Sequence, residues 1–216
     1  MSKFAFVTFL TLVRAPLVAA GTLLALANLA RPSAALLAAA AALMALSAVT
    51  DLFDGMLARR WGVASRFGAL ADPLMDKVFW VCATPAATFV ALYLEQTGHA
   101  ALLLALDVVS ALRDQWASFL RSVGGEYGAD VRASLSGKLR TFLGFPILLL
   151  VHLHLGVGVL ARSEAEAWVG RSFLPPAAVF AMEGLLLALV VLSGIDYTRR
   201  YLPYLRRAAA PAGGAR

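Results

Sequence analysis

Two pairs of aspartates, Asp51 with Asp54 and Asp72 with Asp76, are the residues of this sequence best suited to do chemistry. Residues three or four positions apart share a face of a helix, so the two carboxylates of each pair point the same way. Each pair lies at the end of a long apolar run, and the basic segment RRWGVASRFG between the pairs contains two glycines, which suits a short turn at a membrane surface. If the two runs form an antiparallel hairpin, the pairs face each other.

Four carboxylates at such close quarters repel one another, and bound divalent cations would remove the repulsion. Two ions bring four positive charges to the four negative ones, and carboxylate oxygens are hard ligands of the kind that Mg²⁺ and Mn²⁺ prefer. The spacing therefore indicates a two-metal site for phosphoryl chemistry, in which the ions stabilise the attacking and leaving oxygens. The alternative is a solvated acidic turn, which is disfavoured because acidic residues are costly near a bilayer.

The composition indicates a membrane protein. Of the 216 residues, 61% are hydrophobic and 15% are charged, and the mean hydropathy is +0.77, whereas a soluble domain of this size is usually more charged. Each apolar run is long enough to cross a bilayer as a helix, which takes ~20 residues. We predict an all-α integral membrane protein, a bundle of six transmembrane helices with a short N-terminal interfacial segment around Lys3. The predicted spans are 9–30, 34–58, 69–94, 100–122, 139–160 and 173–197, in a single domain of residues 1–205 followed by a flexible basic and small-residue tail of residues 206–216.

The basic residues orient this bundle. All lysines and arginines except Arg31, Arg162 and Arg171 fall on the side of the aspartate turn. By the positive-inside rule that side is cytoplasmic, and both termini lie there too. The net charge of +6 and the pI of about 10.0 indicate attraction to anionic lipid headgroups and phosphates. No motif in the sequence indicates nucleic-acid binding.

The aspartates belong to a longer motif, Asp51-x2-Asp54-Gly55-x2-Ala58-Arg59-x8-Gly68-x3-Asp72-x3-Asp76. At every defined position the motif resembles the signature of the CDP-alcohol phosphotransferase family, whose members displace CMP from a CDP-linked lipid or alcohol by attack of an acceptor hydroxyl. The resemblance implies two Mg²⁺ ions, with Mn²⁺ as a possible substitute. It also implies that Asp51, Asp54 and Asp72 are metal ligands, and that Asp76 is the catalytic base and touches a metal as well.

The resemblance also implies contacts with the CDP-lipid near the N-terminus and around the turn. Family members commonly carry Pro-Asn-x-x-Thr-x-x-Arg near the N-terminus, where this sequence has Val7-Thr8-x-x-Thr11-x-x-Arg14, without the proline and asparagine. Arg14 has two interpretations: it reaches lipid headgroups, or it meets a lipid diphosphate. The residues expected to contact the CDP-lipid are Thr8, Thr11, Gly55, Ala58, Arg59, Ser65 and Gly68.

A second group of basic residues predicts a phosphate pocket. Arg113 and Arg121 are just over two helical turns apart, so both can face one cavity, and a plain membrane helix would not carry them without a reason. Lys138 and Arg140 lie where the next apolar run begins, and basic groups at a helix start form an anion site. The alternative is anchoring by the positive-inside rule, which explains Arg132 well but Arg113 poorly.

This region narrows the resemblance to one bacterial subgroup. Arg113-Asp114-x6-Arg121 and Gly137-Lys138-Leu139-Arg140-Thr141 are similar to segments of the phosphatidylglycerophosphate synthases, except that Asp114 stands where glutamate is usual. The resemblance implies CDP-diacylglycerol and glycerol 3-phosphate as substrates, a bacterial inner membrane and a homodimer. Inositol phosphate, serine and phosphatidylglycerol stay open as acceptors. A divalent-metal carrier and a catalytically inactive homologue are the alternatives from other classes.

Overall fold

The computed structural model describes residues 2–129, 135–163 and 174–210, and within these ranges it consists of helices and short connections. The all-α prediction is therefore confirmed, and each predicted span corresponds to one helix. Arg132 and Arg171, which entered the charge argument, lie outside the described residues, as do residues 211–216. The helices are α1 Lys3–Ala30, α2 Ala34–Trp61, α3 Arg66–Tyr93, α4 Thr97–Glu126, α5 Leu135–Arg162 and α6 Pro176–Ala208.

Five of these helices are long and apolar enough to cross a membrane. The exception is α4, because Asp107, Arg113 and Asp114 interrupt its apolar run. A helix of 28 residues, such as α1, is about 42 Å long at 1.5 Å per residue, which exceeds the ~30 Å hydrocarbon core. The helix ends therefore reach beyond the apolar layer.

The helices differ from the predicted spans at both ends of the chain. The residues predicted as a separate interfacial segment form the first turns of α1, because the Ser2 hydroxyl caps the helix by accepting a hydrogen bond from the Ala5 N–H at 3.1 Å. At the other end, α6 continues through Arg206 and Arg207 to Ala208, past the boundary predicted at residue 205.

The six helices form a ring with the order α1, α2, α5, α6, α4 and α3, and α3 closes the ring against α1. α5 also contacts α1 and α3 across the ring. The α1–α2 contact is close because Gly21 has no side chain: a Cβ there would lie 3.0 Å from the Ala40 carbonyl oxygen. Small residues at such crossings let membrane helices approach each other. Since α2 and α3 make few direct contacts, α1 is the helix that joins them.

A buried polar pair holds the bundle together at the end away from the aspartates. His99 Nδ1 on α4 lies 3.0 Å from both carboxylate oxygens of Glu183 on α6, and the Glu183 side chain is fully buried. The imidazole also packs against the Phe180 ring, with 3.9 Å between ring centroids. His99 is therefore a buried residue that joins α4 to α6.

Candidate active site

The turn between α2 and α3 is short and is fixed by a cap on each side. Gly62 ends α2 with a left-handed backbone (φ of +65°), a conformation that glycine adopts without steric cost. The Ser65 hydroxyl begins α3 by accepting a hydrogen bond from the Gly68 N–H at 3.0 Å. The caps bring the last turns of α2 and the first turns of α3 to the same end of the bundle, as the sequence predicted.

Three of the four aspartates converge at this end. Oxygen atoms of Asp51, Asp72 and Asp76 all lie within 4.8 Å of one another. Asp51 and Asp76 are partly buried, whereas just over half of the Asp72 side chain is accessible. We call these three residues the aspartate cluster. Three carboxylates at this separation can share one cation, and an all-oxygen donor set fits Mg²⁺ or Mn²⁺.

The fourth aspartate is oriented differently from the prediction. Asp54 is buried, and its Oδ2 accepts a hydrogen bond of 2.7 Å from the Thr11 hydroxyl of α1. The sequence predicted four carboxylates facing one another across a hairpin. Instead, α1 lies against both α2 and α3, and its Thr11 binds Asp54 beside the cluster.

A cavity of about 220 Å³ opens next to Asp54 between α1, α2 and the start of α3. Asp54 and Asp72 are among the residues that line it. We call it the first cavity. All seven residues predicted to contact the CDP-lipid line it, although their role in binding stays a prediction: Thr8, Thr11, Gly55, Ala58, Arg59, Ser65 and Gly68.

A second cavity, of about 440 Å³, also opens at the cluster. Asp51, Asp72 and Asp76 line it, so Asp72 borders both cavities. The four basic residues predicted to bind an acceptor phosphate line this cavity as well: Arg113, Arg121, Lys138 and Arg140. The structure therefore brings together, from the two helices α4 and α5, the cationic residues that are dispersed in the sequence.

Two of these arginines are fixed in orientation by one buried carboxylate. Arg140 donates to both oxygens of Asp114, at 2.8 Å and 3.2 Å, and Arg113 donates to the same Asp114 at 2.9 Å. Each guanidinium also stacks on an aromatic ring: Arg140 lies 4.5 Å from the Trp80 ring and Arg113 lies 4.7 Å from the Tyr197 ring. One carboxylate balances only one of the two positive charges, so the second cavity keeps a positive charge that is already oriented.

The sequence interpretation did not predict that Arg14 lies among the aspartates. Its side chain is only 2% exposed, and its guanidinium contacts Asp51 at 2.5 Å, Asp72 at 2.8 Å and Asp76 at 2.7 Å. The interpretation that Arg14 reaches lipid headgroups is therefore wrong. The signal was present, because an arginine inside an apolar membrane helix needs a carboxylate partner, and the nearest predicted carboxylates at that membrane face are these aspartates.

Comparison with known proteins agrees with this geometry. The protein named CDP-diacylglycerol--glycerol-3-phosphate 3-phosphatidyltransferase from Escherichia coli (strain K12) is 35% identical over 117 residues, which cover 48% of this chain and 54% of that protein. Proteins of the same name from Shigella flexneri serotype 5b (strain 8401) and Shigella sonnei (strain Ss046) match with the same figures. The chain spans about half the length of the curated relatives it matches.

The family comparison covers much more of the chain. A sequence model of the CDP-alcohol phosphatidyltransferase family matches residues 5–193. The match includes Arg14, all residues of the aspartate cluster, and the four basic residues of the second cavity. From this match, the chain belongs to the CDP-alcohol phosphatidyltransferase family.

Proposed function

We propose that this protein is a membrane enzyme that transfers a phosphatidyl group from CDP-diacylglycerol to sn-glycerol 3-phosphate, releasing CMP and forming phosphatidylglycerophosphate. The observation that carries the proposal is that two separate cavities meet at one aspartate cluster, with Asp72 common to both. A two-substrate transfer needs a donor site and an acceptor site that meet at the reacting phosphorus. The names of the matched relatives support the same reaction.

The first cavity would hold the CDP part of the donor. Gly55 and Ala58 are small and leave room for a planar base and its ribose, while Arg59 lines the same cavity and suits a diphosphate. Carboxylates alone would repel the diphosphate. Mg²⁺ or Mn²⁺, held by the aspartate cluster together with Asp54, would supply the positive charge that attracts the diphosphate and stabilises charge in the transition state.

The second cavity would hold the acceptor through its phosphate. Arg113 and Arg140 are oriented by Asp114 before any ligand arrives, and a guanidinium binds phosphate through paired, charge-assisted hydrogen bonds. Arg121 and Lys138 add two further positive charges to the lining. This charge favours an acceptor with a phosphate, such as glycerol 3-phosphate or inositol phosphate, over serine.

Asp76 is the residue that we assign to proton transfer. It lines the second cavity beside Asp51 and Asp72, so an acceptor hydroxyl directed at the cluster would come within its reach. Asp76 would accept the hydroxyl proton while the acceptor oxygen forms a bond to the β-phosphorus of the donor. The bond from that phosphorus to CMP breaks in the same displacement, and CMP leaves through the first cavity.

The location and assembly of the enzyme belong to the same proposal. The excess of basic residues on the side of the aspartate turn supports a bacterial inner membrane with the site and both termini on the cytoplasmic side. A nucleotide-linked donor and a phosphorylated acceptor are both available there. We also propose a homodimer, as the family resemblance implies.

The carrier hypothesis is less well supported by the packing. Between the aspartate cluster and the opposite end, the bundle is filled with buried apolar side chains such as Ala83, Leu103 and Leu148. A cation path across the membrane would instead need polar or charged residues along its length. We therefore favour the transferase.

An acceptor panel tests the proposal directly. Purified protein in lipid nanodiscs with labelled CDP-diacylglycerol should release CMP with glycerol 3-phosphate, and EDTA should stop the release. Glycerol 3-phosphate is compared with inositol phosphate, serine, phosphatidylglycerol and no acceptor. Release with serine or inositol phosphate but none with glycerol 3-phosphate would show that the proposed acceptor, glycerol 3-phosphate, is wrong. Transport of Mn²⁺ into proteoliposomes without any CMP release would favour the carrier.

A further inference from the structure

Arg14 has an unusual place for a membrane arginine, because it lies inside the acidic site and away from both lipid and solvent. Its guanidinium contacts Oδ1 of each of the three clustered aspartates, through Nη1 to Asp51 and Asp72 and through Nη2 to Asp76. The three partners come from two helices, since Asp51 lies on α2 while Asp72 and Asp76 lie on α3. One side chain of α1 therefore bridges the two helices that carry the acidic motif.

The contacts around Arg14 make this bridge part of the packing of α1. Thr11, one turn earlier on α1, binds Asp54, so all four motif aspartates have a partner on this helix. On the α2 side, the Ser47 hydroxyl donates to the Arg14 carbonyl oxygen at 3.4 Å. Because α2 and α3 make few direct contacts, the repulsion between their carboxylates is not offset by packing between the two helices.

We propose that Arg14 is a positioning residue that acts as a permanent counterion of the aspartate cluster: it holds the carboxylates of α2 and α3 together and competes with divalent cations for their oxygens. The inference rests on the proposed function only in that a divalent cation binds these aspartates. It adds a regulator of cation affinity that belongs to the protein itself.

The charges explain why both effects follow from one residue. Three carboxylates and one guanidinium leave a smaller negative charge than three carboxylates alone, so Arg14 weakens the attraction for a divalent ion at the same oxygens. Removing the guanidinium leaves partly buried carboxylates without their partner, which is strongly unfavourable. Loss of Arg14 should therefore make the protein without cations less stable and, at the same time, make cation binding tighter.

A pair of measurements on the full chain in nanodiscs tests this without substrate. The variants are Arg14→Gln, Arg14→Lys and the control Arg60→Gln. The control removes an exposed arginine near the end of α2. The first measurement is the thermal unfolding midpoint in EDTA and in saturating Mn²⁺. The second is the Mn²⁺ dissociation constant, obtained from the electron paramagnetic resonance signal of free Mn²⁺.

For Arg14→Gln we expect the midpoint in EDTA to fall by about 5 °C or more, and Mn²⁺ to restore most of the loss. We expect the Mn²⁺ dissociation constant to fall by about tenfold or more, since a nearby positive charge has been removed. Arg14→Lys keeps the charge and should stay within about threefold of the unmodified protein. Arg60→Gln should change neither quantity.

Two outcomes would overturn the inference. If folded Arg14→Gln binds Mn²⁺ with unchanged or weaker affinity, Arg14 does not compete with the cation. If Arg14→Gln does not fold, the inference is refuted when Arg14→Lys binds Mn²⁺ about tenfold more tightly, because a retained charge must not raise the affinity. The proposed function fails separately, when the unmodified protein binds Mn²⁺ but releases no CMP.

Discussion

Asp114 accepts hydrogen bonds from Arg140 at both of its carboxylate oxygens, and the same carboxylate binds Arg113. We expect Asp114→Asn to raise the KM for glycerol 3-phosphate by about tenfold, because losing a charge-assisted partner costs about 1.5–3 kcal/mol and leaves both arginines free to reorient. The KM for CDP-diacylglycerol should hardly change. Steady-state CMP release with each substrate varied in turn measures both constants.

Two further variants make that prediction specific. Asp114→Glu keeps the charge and should recover most of the affinity, since glutamate stands at this position in the subgroup that the sequence resembles. Glu126→Gln removes an exposed carboxylate at the end of the same helix and should leave both KM values unchanged. Equal losses in Asp114→Asn and Asp114→Glu would mean that Asp114 does not orient the arginines through its charge.

The assignment of Asp76 as the base predicts a large loss of rate. At saturating Mn²⁺, Asp76→Asn should lower kcat by about 10²–10⁴-fold, the usual contribution of general acid–base catalysis. Rapid-quench measurement of CMP release gives the rate, and Arg60→Gln is the control. A variant that keeps more than about a tenth of the rate would rule out Asp76 as the base.

If each cavity binds one substrate, a substitution in one cavity should change the KM of that substrate and leave the KM of the other unchanged. Arg59 lines only the first cavity and Lys138 only the second. We expect Arg59→Gln to raise the KM for CDP-diacylglycerol by about threefold to tenfold and Lys138→Gln to raise the KM for glycerol 3-phosphate by a similar factor, because both side chains are exposed and a hydrogen bond from an exposed group contributes only about 1 kcal/mol. Each variant is the control of the other, and a crossed pattern would reverse the assignment of the cavities.

The buried pair at the opposite end predicts a loss of stability without a loss of function. Glu183→Ala leaves His99 without its partner in a buried place, which should cost about 1–3 kcal/mol and lower the unfolding midpoint by about 3–8 °C. The kcat/KM for CMP release below that temperature should stay unchanged. Glu95→Gln alters an exposed side chain in the nearby turn and should change neither quantity; a fall in kcat/KM for Glu183→Ala alone would connect the two ends of the bundle.

Local patterns in the sequence predicted the helices and most of the site. The apolar runs set the helix positions, and the spacing of Asp72 and Asp76 placed both carboxylates on one helical face, which the structure bears out in their common contact with Arg14. The residues that the sequence analysis named from the family motif, the N-terminal segment and the two basic segments line the two cavities, although their roles in binding stay predictions. These are properties of single helices and of one short turn.

What the sequence did not predict depends on which helix packs against which. Spacing shows that Asp51 and Asp54 share a face of α2, but it does not show that α1 lies against that face, so Asp54 meeting Thr11 and Arg14 bridging the cluster were both missed. His99 and Glu183 are 84 residues apart, and nothing in their local sequence links them. Such pairs are set by the ring order of the helices, which local periodicity does not contain.

The position of Asp72 between the two cavities has a stereochemical consequence. If the acceptor oxygen arrives from the second cavity and CMP leaves into the first, the two groups would lie on opposite sides of the phosphorus, along a single line. One such displacement inverts the configuration at phosphorus, so a chirally labelled donor would give a product of the opposite hand, whereas two successive displacements through a covalent enzyme intermediate would restore the original one.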